Sequence, residues 1–170
     1  MKILETERLV LRQLEPGDAA FILRLVNEPS WLRYIGDKGV RSLDDAKKYI
    51  QTGPVDMYRR LGFGLWLMEL KSKRESVGLC GLIKRDTLDD VDLGYALLPE
   101  FCKKGYALEA AAATMKYAEI RLKLKRVVAI TSQDNEASGN LLEKLGFQLE
   151  RLVAVDTDEE ELKFFAIELG

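Results

Sequence analysis

The chain has 170 residues and an apolar fraction of 47%, which suits one globular domain with a sizeable core and excludes a disordered chain. It contains no histidine, which excludes Ser-His-Asp and Cys-His mechanisms and argues against a zinc site. The net charge of −2 argues against a general nucleic-acid binder, and two cysteines without a signal-peptide or membrane-spanning run favour a reducing cytoplasm.

The first half of the chain predicts one strand, around Leu9 and Leu11, followed by short helices. Ser42, with Asp45 three residues later, is typical of a helix N-terminus, so a helix should begin at residue 43. Gly53-Pro54 should break that helix, because neither residue suits a helix interior.

Strand patterns dominate the second half of the chain. They cover 63–70, 77–84, 92–98, 127–132, 147–155 and 162–169, with helices predicted at 106–123 and 136–145. The last two strands predict a hairpin around an acidic turn at 156–161, whose spacing fits no calcium loop. The order is strand, two or three helices, three strands, helix, strand, helix and two strands. It predicts an α+β fold with a mixed sheet, in a single domain over 1–170.

The turn between strand 92–98 and helix 106–123 is the strongest candidate for a binding site. The first N–H groups of a helix have no partner inside it, so they suit an anion such as a phosphate. Lys103 and Lys104 add positive charge, and Gly105 lets the backbone approach the anion closely. The pattern also fits an ordinary turn with a solvated lysine pair, because it contains neither common nucleotide-binding motif.

Four groups of short motifs follow one another along the chain. They are TERLVLR at 6–12 with PGD at 16–18, DLGY at 92–95 before Pro99, KGYALEA at 104–110, and NEAS at 135–138 with EKLGF at 143–147. In this order they resemble the Rim-type branch of the GNAT-fold N-acetyltransferases, across nearly the whole chain. The resemblance implies a mixed, mostly antiparallel sheet of about seven strands, with a V-shaped splay and helices on both faces. It also implies acetyl transfer from acetyl-CoA to a primary amine, without a metal.

Two positions depart from the GNAT pattern. Cys102 stands where the general loop begins with glutamine or arginine, so the diphosphate would depend more on backbone N–H groups and the two lysines. Leu142 stands where many GNAT enzymes place a tyrosine acid, and a leucine side chain has no proton to donate. The usual acid is therefore absent, as in much of the Rim-type branch.

The resemblance places the pantetheine arm in a gap between strands 92–98 and 127–132, bonded to backbone groups as a further strand would be. A backbone N–H near Leu97 would also stabilise the oxyanion. The expected cofactor-binding residues are Tyr95, Leu97, Leu98, Lys103, Lys104, Gly105, Tyr106, Ala107, Asn135 and Ser138. Asn135 also suits a plain helix cap.

Two residues are candidates for the chemistry. Asp92 would act as a general base through water, the alternative being a surface carboxylate beside a turn. Ser138 matches the serine that Rim-type enzymes are thought to place near the sulfur, the alternative being a helix residue that bonds the backbone. Cys102 near lysines should have a lowered pKa, but without a paired base a covalent mechanism is disfavoured.

Trp31, Arg33 and Tyr34 are candidates for the acceptor pocket, although Trp31 and Tyr34 also suit a core. The acceptor must be a neutral amine. An α-amino group has a pKa of about 8, whereas a lysine at about 10.4 needs a base or a desolvating pocket. We expect a protein N-terminus or small amine as substrate, no nucleic-acid or membrane partner, and a monomer or homodimer. An inactive CoA-binding sensor or scaffold, or an acyl donor other than acetyl, stays open.

Overall fold

The structure, a computed structural model, describes residues 1–154 and 160–170. Its strands are β1 Lys2–Glu5, β2 Leu9–Arg12, β3 Leu65–Leu70, β4 Ser76–Ile83, β5 Asp92–Leu97, β6 Arg126–Ser132, β7 Gln148–Val153 and β8 Leu162–Glu168. Within the described residues they form an eight-stranded sheet in the order β1-β2-β3-β4-β5-β6-β8-β7. Neighbouring strands are antiparallel except for β5 and β6, which are parallel.

Helices cover both faces of this sheet. They are α1 Ala19–Leu25, α2 Pro29–Tyr34, α3 Leu43–Ile50, α4 Asp56–Leu61, α5 Tyr106–Ile120 and α6 Glu136–Lys144. α5 packs on the face that carries Trp66, whose ring lies 5.2 Å from that of Tyr117. Arg12 lies on the opposite face and bonds Asp18 at the start of α1. Among the described helices, none is both long and apolar enough to cross a lipid bilayer.

The predicted α+β class, mixed sheet and helices on both faces are confirmed, but the described part of the chain contributes eight strands to the sheet rather than about seven. The missed strand is β1, a four-residue edge strand with little apolar alternation. Ser42 caps α3 as predicted, since its Oγ accepts from the Asp45 N–H at 3.1 Å. The regular α-helix is interrupted around Gly53-Pro54 as predicted, because α3 ends at Ile50 and α4 begins at Asp56, but the connection is itself helical. A wide π-type turn over 51–55 carries the chain directly from α3 into α4.

The hairpin of β7 and β8 is also present. Its predicted acidic turn falls largely outside the described residues, which resume at Glu160.

The sheet splits between its two parallel strands. Within the described residues, β5 and β6 pair only at Asp92 and Val128, where the Val128 N–H donates to the Val91 carbonyl at 3.0 Å. Beyond that pair the strands part towards their C-terminal ends, because the ladder does not continue. The predicted V-shaped splay is therefore present, and it opens a cleft in the middle of the sheet.

Gly81, in the middle of β4, leaves no room for a side chain. A Cβ there would lie 2.1 Å from the Gly64 carbonyl oxygen and 2.9 Å from the Leu65 Cα, both of them backbone atoms. We expect Gly81→Ala to lower the free energy of unfolding by about 3 kcal/mol, measured by chemical denaturation. Gly17→Ala is the matched control, because a Cβ there meets no atom within 4 Å. Equal stability of the two variants would contradict this packing.

Candidate active site

A cavity of about 770 Å³ fills the cleft between β5 and β6. Its walls come from both strands, from the loop that leads into α5, from the first turns of α6, and from α2 and the α3–α4 region on the other face of the sheet. Parts of the chain that are distant in sequence therefore meet in one space. That space reaches from the unpaired side of β5 to the N-terminus of α5.

The hydrogen bonds of β5 alternate between its two neighbours. The carbonyl of Val91 faces β6, where it accepts from Val128. The N–H of Leu98 faces β4, where it donates to the Val77 carbonyl at 3.0 Å. Successive residues of a strand direct their backbone N–H and C=O groups to opposite sides. The backbone groups of the odd-numbered residues of β5 therefore point into the cleft.

The backbone groups of Leu93, Tyr95 and Leu97 therefore point across the cleft rather than towards β4. They lie beyond the point where β5 and β6 last pair, so an extended ligand can bond to them as an added strand would. Leu98 is placed differently from the sequence-based expectation, because its N–H is already bonded and its side chain is 2% exposed.

The loop before α5 has two residues in the left-handed region, Lys103 at φ 62° and Gly105 at φ 84°. A lysine in that region is strained, as is common where backbone geometry serves a ligand. Gly105 occupies the N-cap position and has no side chain with which to cap the helix. Tyr106 and Ala107 line the cavity, and their N–H groups have no acceptor within the helix. The loop therefore fits a diphosphate.

Lys104 is exposed and contributes in a different way from Lys103. Among the described residues, Lys103 is part of the cavity wall and Lys104 is not. The carbonyl oxygen of Lys104 instead accepts a hydrogen bond from Arg8 Nη1 at 3.0 Å. Its backbone is thereby tied to the loop between β1 and β2.

A hydrogen bond between side chains joins the two walls of the cleft. The hydroxyl oxygen of Tyr95, on β5, lies 2.6 Å from Ser138 Oγ, on α6. Burial raises the pKa of Tyr95 to about 12, against the lowering effect of the bond to Ser138. Tyr95 therefore keeps its proton throughout the physiological pH range. Ser138 uses its side chain on another side chain, not on the helix backbone as the alternative interpretation required.

Asn135 caps α6, since its Oδ1 accepts from the Ser138 N–H at 3.3 Å. The structural role considered for this residue is therefore real. The cap uses only the oxygen of the side chain, and Asn135 lines the cavity, so its amide NH₂ group can still serve a ligand.

Asp92 lies at the point where β5 and β6 part, and only 1% of it is exposed. This burial excludes the surface carboxylate considered as the alternative. Arg85 Nε lies 3.3 Å from each carboxylate oxygen, and both residues line the cavity. Burial raises the pKa of Asp92, and the charge of Arg85 opposes the shift. The carboxylate is thus a stronger base than an exposed aspartate.

The sequence did not indicate Arg85 or Tyr49, which line the same part of the cavity. Burial raises the pKa of Tyr49 to about 12, so its hydroxyl stays neutral. Trp31 and Tyr34 also belong to this wall. Arg33 does not: it points to Asp134, 2.7 Å away, and its side chain is 64% exposed. The helical periodicity of the sequence does not indicate which face of α2 lines the cavity, so Arg33 could not be separated from Trp31 and Tyr34.

The cavity wall also includes Cys102 and Leu142, the two departures from the GNAT pattern. The prediction of a lowered pKa for Cys102 is wrong, because partial burial raises it more than Lys103 lowers it. A thiol of this kind is a poor nucleophile at neutral pH. Leu142 is 1% exposed and packs in the core.

The family profile described as "Acetyltransferase (GNAT) domain" matches residues 8–148 of the chain. The chain belongs to the GNAT acetyltransferase family. The resemblance read from the four groups of motifs is thereby confirmed. A relative from Bacillus subtilis (strain 168), "Uncharacterized N-acetyltransferase YoaA", is 34% identical over 149 residues, which cover 87% of this chain and 84% of the relative.

Solved structures of acetyltransferases share the fold. The acetyltransferase from Agrobacterium tumefaciens str. C58 matches with a TM-score of 0.83 and 26% identity, covering 99% of this chain and 94% of that one. RimL, described as a ribosomal L7/L12 alpha-N-protein acetyltransferase in complex with coenzyme A, matches with a TM-score of 0.84 and 20% identity. The match covers 99% of this chain and 98% of RimL. Rim-type enzymes are thus among the GNAT proteins that have this architecture.

Proposed function

We propose that this GNAT enzyme transfers an acetyl group from acetyl-CoA to a primary amine, with both substrates bound in the central cavity of one domain over 1–170. The observation that carries the proposal is the continuity of that cavity. It connects the unpaired edge of β5, the N-terminus of α5 and the buried Asp92. The RimL structure, which holds coenzyme A in the same fold, supports the choice of cofactor.

The backbone geometry of the cleft supports a role for its lining residues in binding acetyl-CoA. The pantetheine arm would bond the cleft-facing groups of Tyr95 and Leu97, and Asn135 would add its amide. The diphosphate would lie against the loop of Lys103 and the first N–H groups of α5, starting at Tyr106. Acetyl-CoA supplies an acetyl group activated as a thioester. The protein supplies orientation and fixed donors, which are the main sources of rate in acyl transfer.

Asp92 is the proposed general base. The attacking amine must be neutral, and a carboxylate at the base of the cleft can take its proton through a water molecule. Burial strengthens the base by raising the pKa of Asp92, while Arg85 keeps the carboxyl group oriented. The Leu97 N–H, which faces the cleft, is the proposed donor to the developing oxyanion.

The pair of Tyr95 and Ser138 is the proposed proton-holding group near the sulfur. The hydrogen bond to Tyr95 fixes the Ser138 hydroxyl, which would then direct its proton towards the cleft. We expect Ser138→Ala to lower kcat about 30-fold while the Kd of coenzyme A changes less than about threefold. Tyr95→Phe should lower kcat less, and the double variant should be no worse than Ser138→Ala. Steady-state kinetics and calorimetry measure both constants, and additive losses in kcat would contradict a coupled pair.

The acceptor class follows from the same chemistry. An α-amino group with a pKa of about 8 needs only modest help from one carboxylate. We therefore propose a protein N-terminus or a small amine as acceptor, by analogy with the alpha-N-protein substrate named for RimL. Both cysteines are free, which supports a cytoplasmic enzyme. We propose no nucleic-acid partner, and a monomer or homodimer.

A thiol-release screen tests the proposed function. The full chain is incubated with acetyl-CoA and N-terminal peptides, polyamines or aminoglycosides, and free coenzyme A thiol is measured. We expect release that depends on one class of amine and on the enzyme. Tight binding of acetyl-CoA without release for any of these amines would contradict the proposed activity and favour the sensor or scaffold instead.

A further inference from the structure

Arg8 contacts the end of the loop that precedes α5 and the first residue of that helix, although it belongs to the turn between β1 and β2. Its Nη1 donates to the Lys104 carbonyl at 3.0 Å, and its guanidinium carbon lies 4.4 Å from the centre of the Tyr106 ring. A Cβ placed on Gly105 would lie 3.2 Å from Arg8 Nη2, so the guanidinium also packs against that glycine. One side chain therefore contacts three consecutive residues at the start of α5.

Arg8 also neutralises a carboxylate in the first turns of α5. Its Nε donates to Glu109 Oε1 at 2.8 Å, and its backbone N–H donates to Oε2 at 3.0 Å. Thr6 Oγ1 donates to Oε2 as well, at 2.5 Å. Burial alone would raise the pKa of Glu109, but these hydrogen bonds outweigh it and hold the pKa below its ordinary value. Glu109 therefore stays ionised near the place proposed for the diphosphate.

These contacts have an electrostatic consequence. An ionised Glu109 without a partner would repel a bound diphosphate, since like charges at such a site oppose each other. Arg8 neutralises the charge of Glu109, so the electrostatic potential at the loop is set by the first N–H groups of α5 and by Lys103, all of them positive. The planar, bidentate fork of arginine suits this double task better than the point charge of a lysine.

We infer that Arg8 is a positioning residue for coenzyme A. It fixes the loop of Lys104, Gly105 and Tyr106 and neutralises Glu109, so that the diphosphate meets a rigid and positively charged cradle. The inference rests on the proposed function, because it concerns the same cofactor.

The test compares two ligands, coenzyme A and pantetheine, which lacks the diphosphate. We expect Arg8→Met to raise the Kd of coenzyme A about tenfold, measured by calorimetry on the full chain. The Kd of pantetheine, followed by NMR titration, should stay within about twofold, since its contacts lie elsewhere. Equal losses for both ligands, or an unchanged Kd for coenzyme A, would overturn the inference.

Second variants separate the two tasks of Arg8. Adding Glu109→Gln to Arg8→Met should recover about threefold of the lost affinity, because the unneutralised charge is gone. Arg8→Lys keeps the charge without the fork, so we expect a Kd raised about threefold for coenzyme A alone. If Arg8→Met does not fold, Arg8→Lys replaces it in the test. Wild-type affinity of Arg8→Lys for coenzyme A would then contradict the inference. Arg60→Met, an exposed arginine paired with Asp56, is the matched control.

The binding data distinguish a failure of the proposed function from a failure of the inference about Arg8. If wild-type protein does not bind coenzyme A, the proposed function itself is wrong, and Arg8 has no such role. If wild-type protein binds coenzyme A and Arg8→Met binds equally well, the function stands and only the inference about Arg8 fails.

Discussion

Gly105→Val is expected to abolish binding of coenzyme A while the fold stays intact. Gly105 has a φ of 84°, a conformation that a β-branched residue adopts only at considerable strain. The turn must shift to relieve that strain, and the first N–H groups of α5 then lose their alignment. We expect the Kd of coenzyme A, measured by calorimetry, to rise about 100-fold or more.

Gly62→Val provides the matched control. Gly62 ends α4 with a φ of 81°, nearly the same backbone conformation, and it lies outside the cavity wall. Both variants should therefore lose similar stability in chemical denaturation, yet only Gly105→Val should lose the cofactor. Undiminished binding by Gly105→Val would refute the assignment of this loop to the diphosphate.

Asp92→Asn is expected to have the largest effect on turnover. The amide has nearly the same shape as the carboxylate but accepts no proton, so we expect kcat to fall about 100-fold. The Kd of coenzyme A should stay within about twofold, because the loop before α5 and the cleft-facing backbone are unchanged. A variant that retains wild-type kcat would exclude Asp92 as the base.

The pH profile gives the same test a sharper form. Because the pKa of Asp92 is raised, its ionisation should produce a rising acid limb in kcat/KM above the ordinary aspartate range. A second rise should follow as the acceptor amine loses its proton, near pH 8 for an α-amino group. Asp92→Asn should keep the second rise and lose the first. An unchanged profile would contradict the assignment.

The stability of the same variant should move in the opposite direction to its activity. Burial raises the pKa of Asp92 in the folded protein above its ordinary value in the unfolded chain. Below the ordinary pKa the carboxyl group is protonated in both states and costs no stability. As the pH rises through the folded pKa, ionisation of the buried group lowers the free energy of unfolding. Asparagine has no such ionisation. Asp92→Asn should therefore unfold at a higher denaturant concentration than the wild type at neutral pH, and the difference should disappear in acid.

Much of the fold follows from local patterns that act alone. Runs of apolar and β-branched residues identified β3 to β8, and the Ser42 cap placed the start of α3, since the capping bond lies within one turn. β1 was not predicted, because a short edge strand buries few side chains and its sequence therefore shows little alternation of apolar and polar residues. The π-type geometry between α3 and α4 was not predicted, because a proline such as Pro54 usually ends a helix and is here accommodated inside a wide turn.

The candidate site was predictable where it depends on backbone and motif. The turn before α5 needed only a glycine and a helix start, whereas the expectation for Tyr95 and Leu97 on β5 came from the resemblance to the GNAT fold. Arg85 could not be found in this way, because its pairing with Asp92 depends on how β4 and β5 lie side by side. Arg8 stood within a recognised motif, but its contact with Glu109 spans 101 residues of sequence. Only the folded chain brings these two residues together.

The decisive measurement is a crystal structure of the protein grown with acetyl-CoA. We expect the diphosphate against the N–H groups at the start of α5, and the pantetheine arm alongside Tyr95 and Leu97 in the cleft between β5 and β6. A ligand bound elsewhere, or a start of α5 closed by the protein itself, would contradict this mode of cofactor binding.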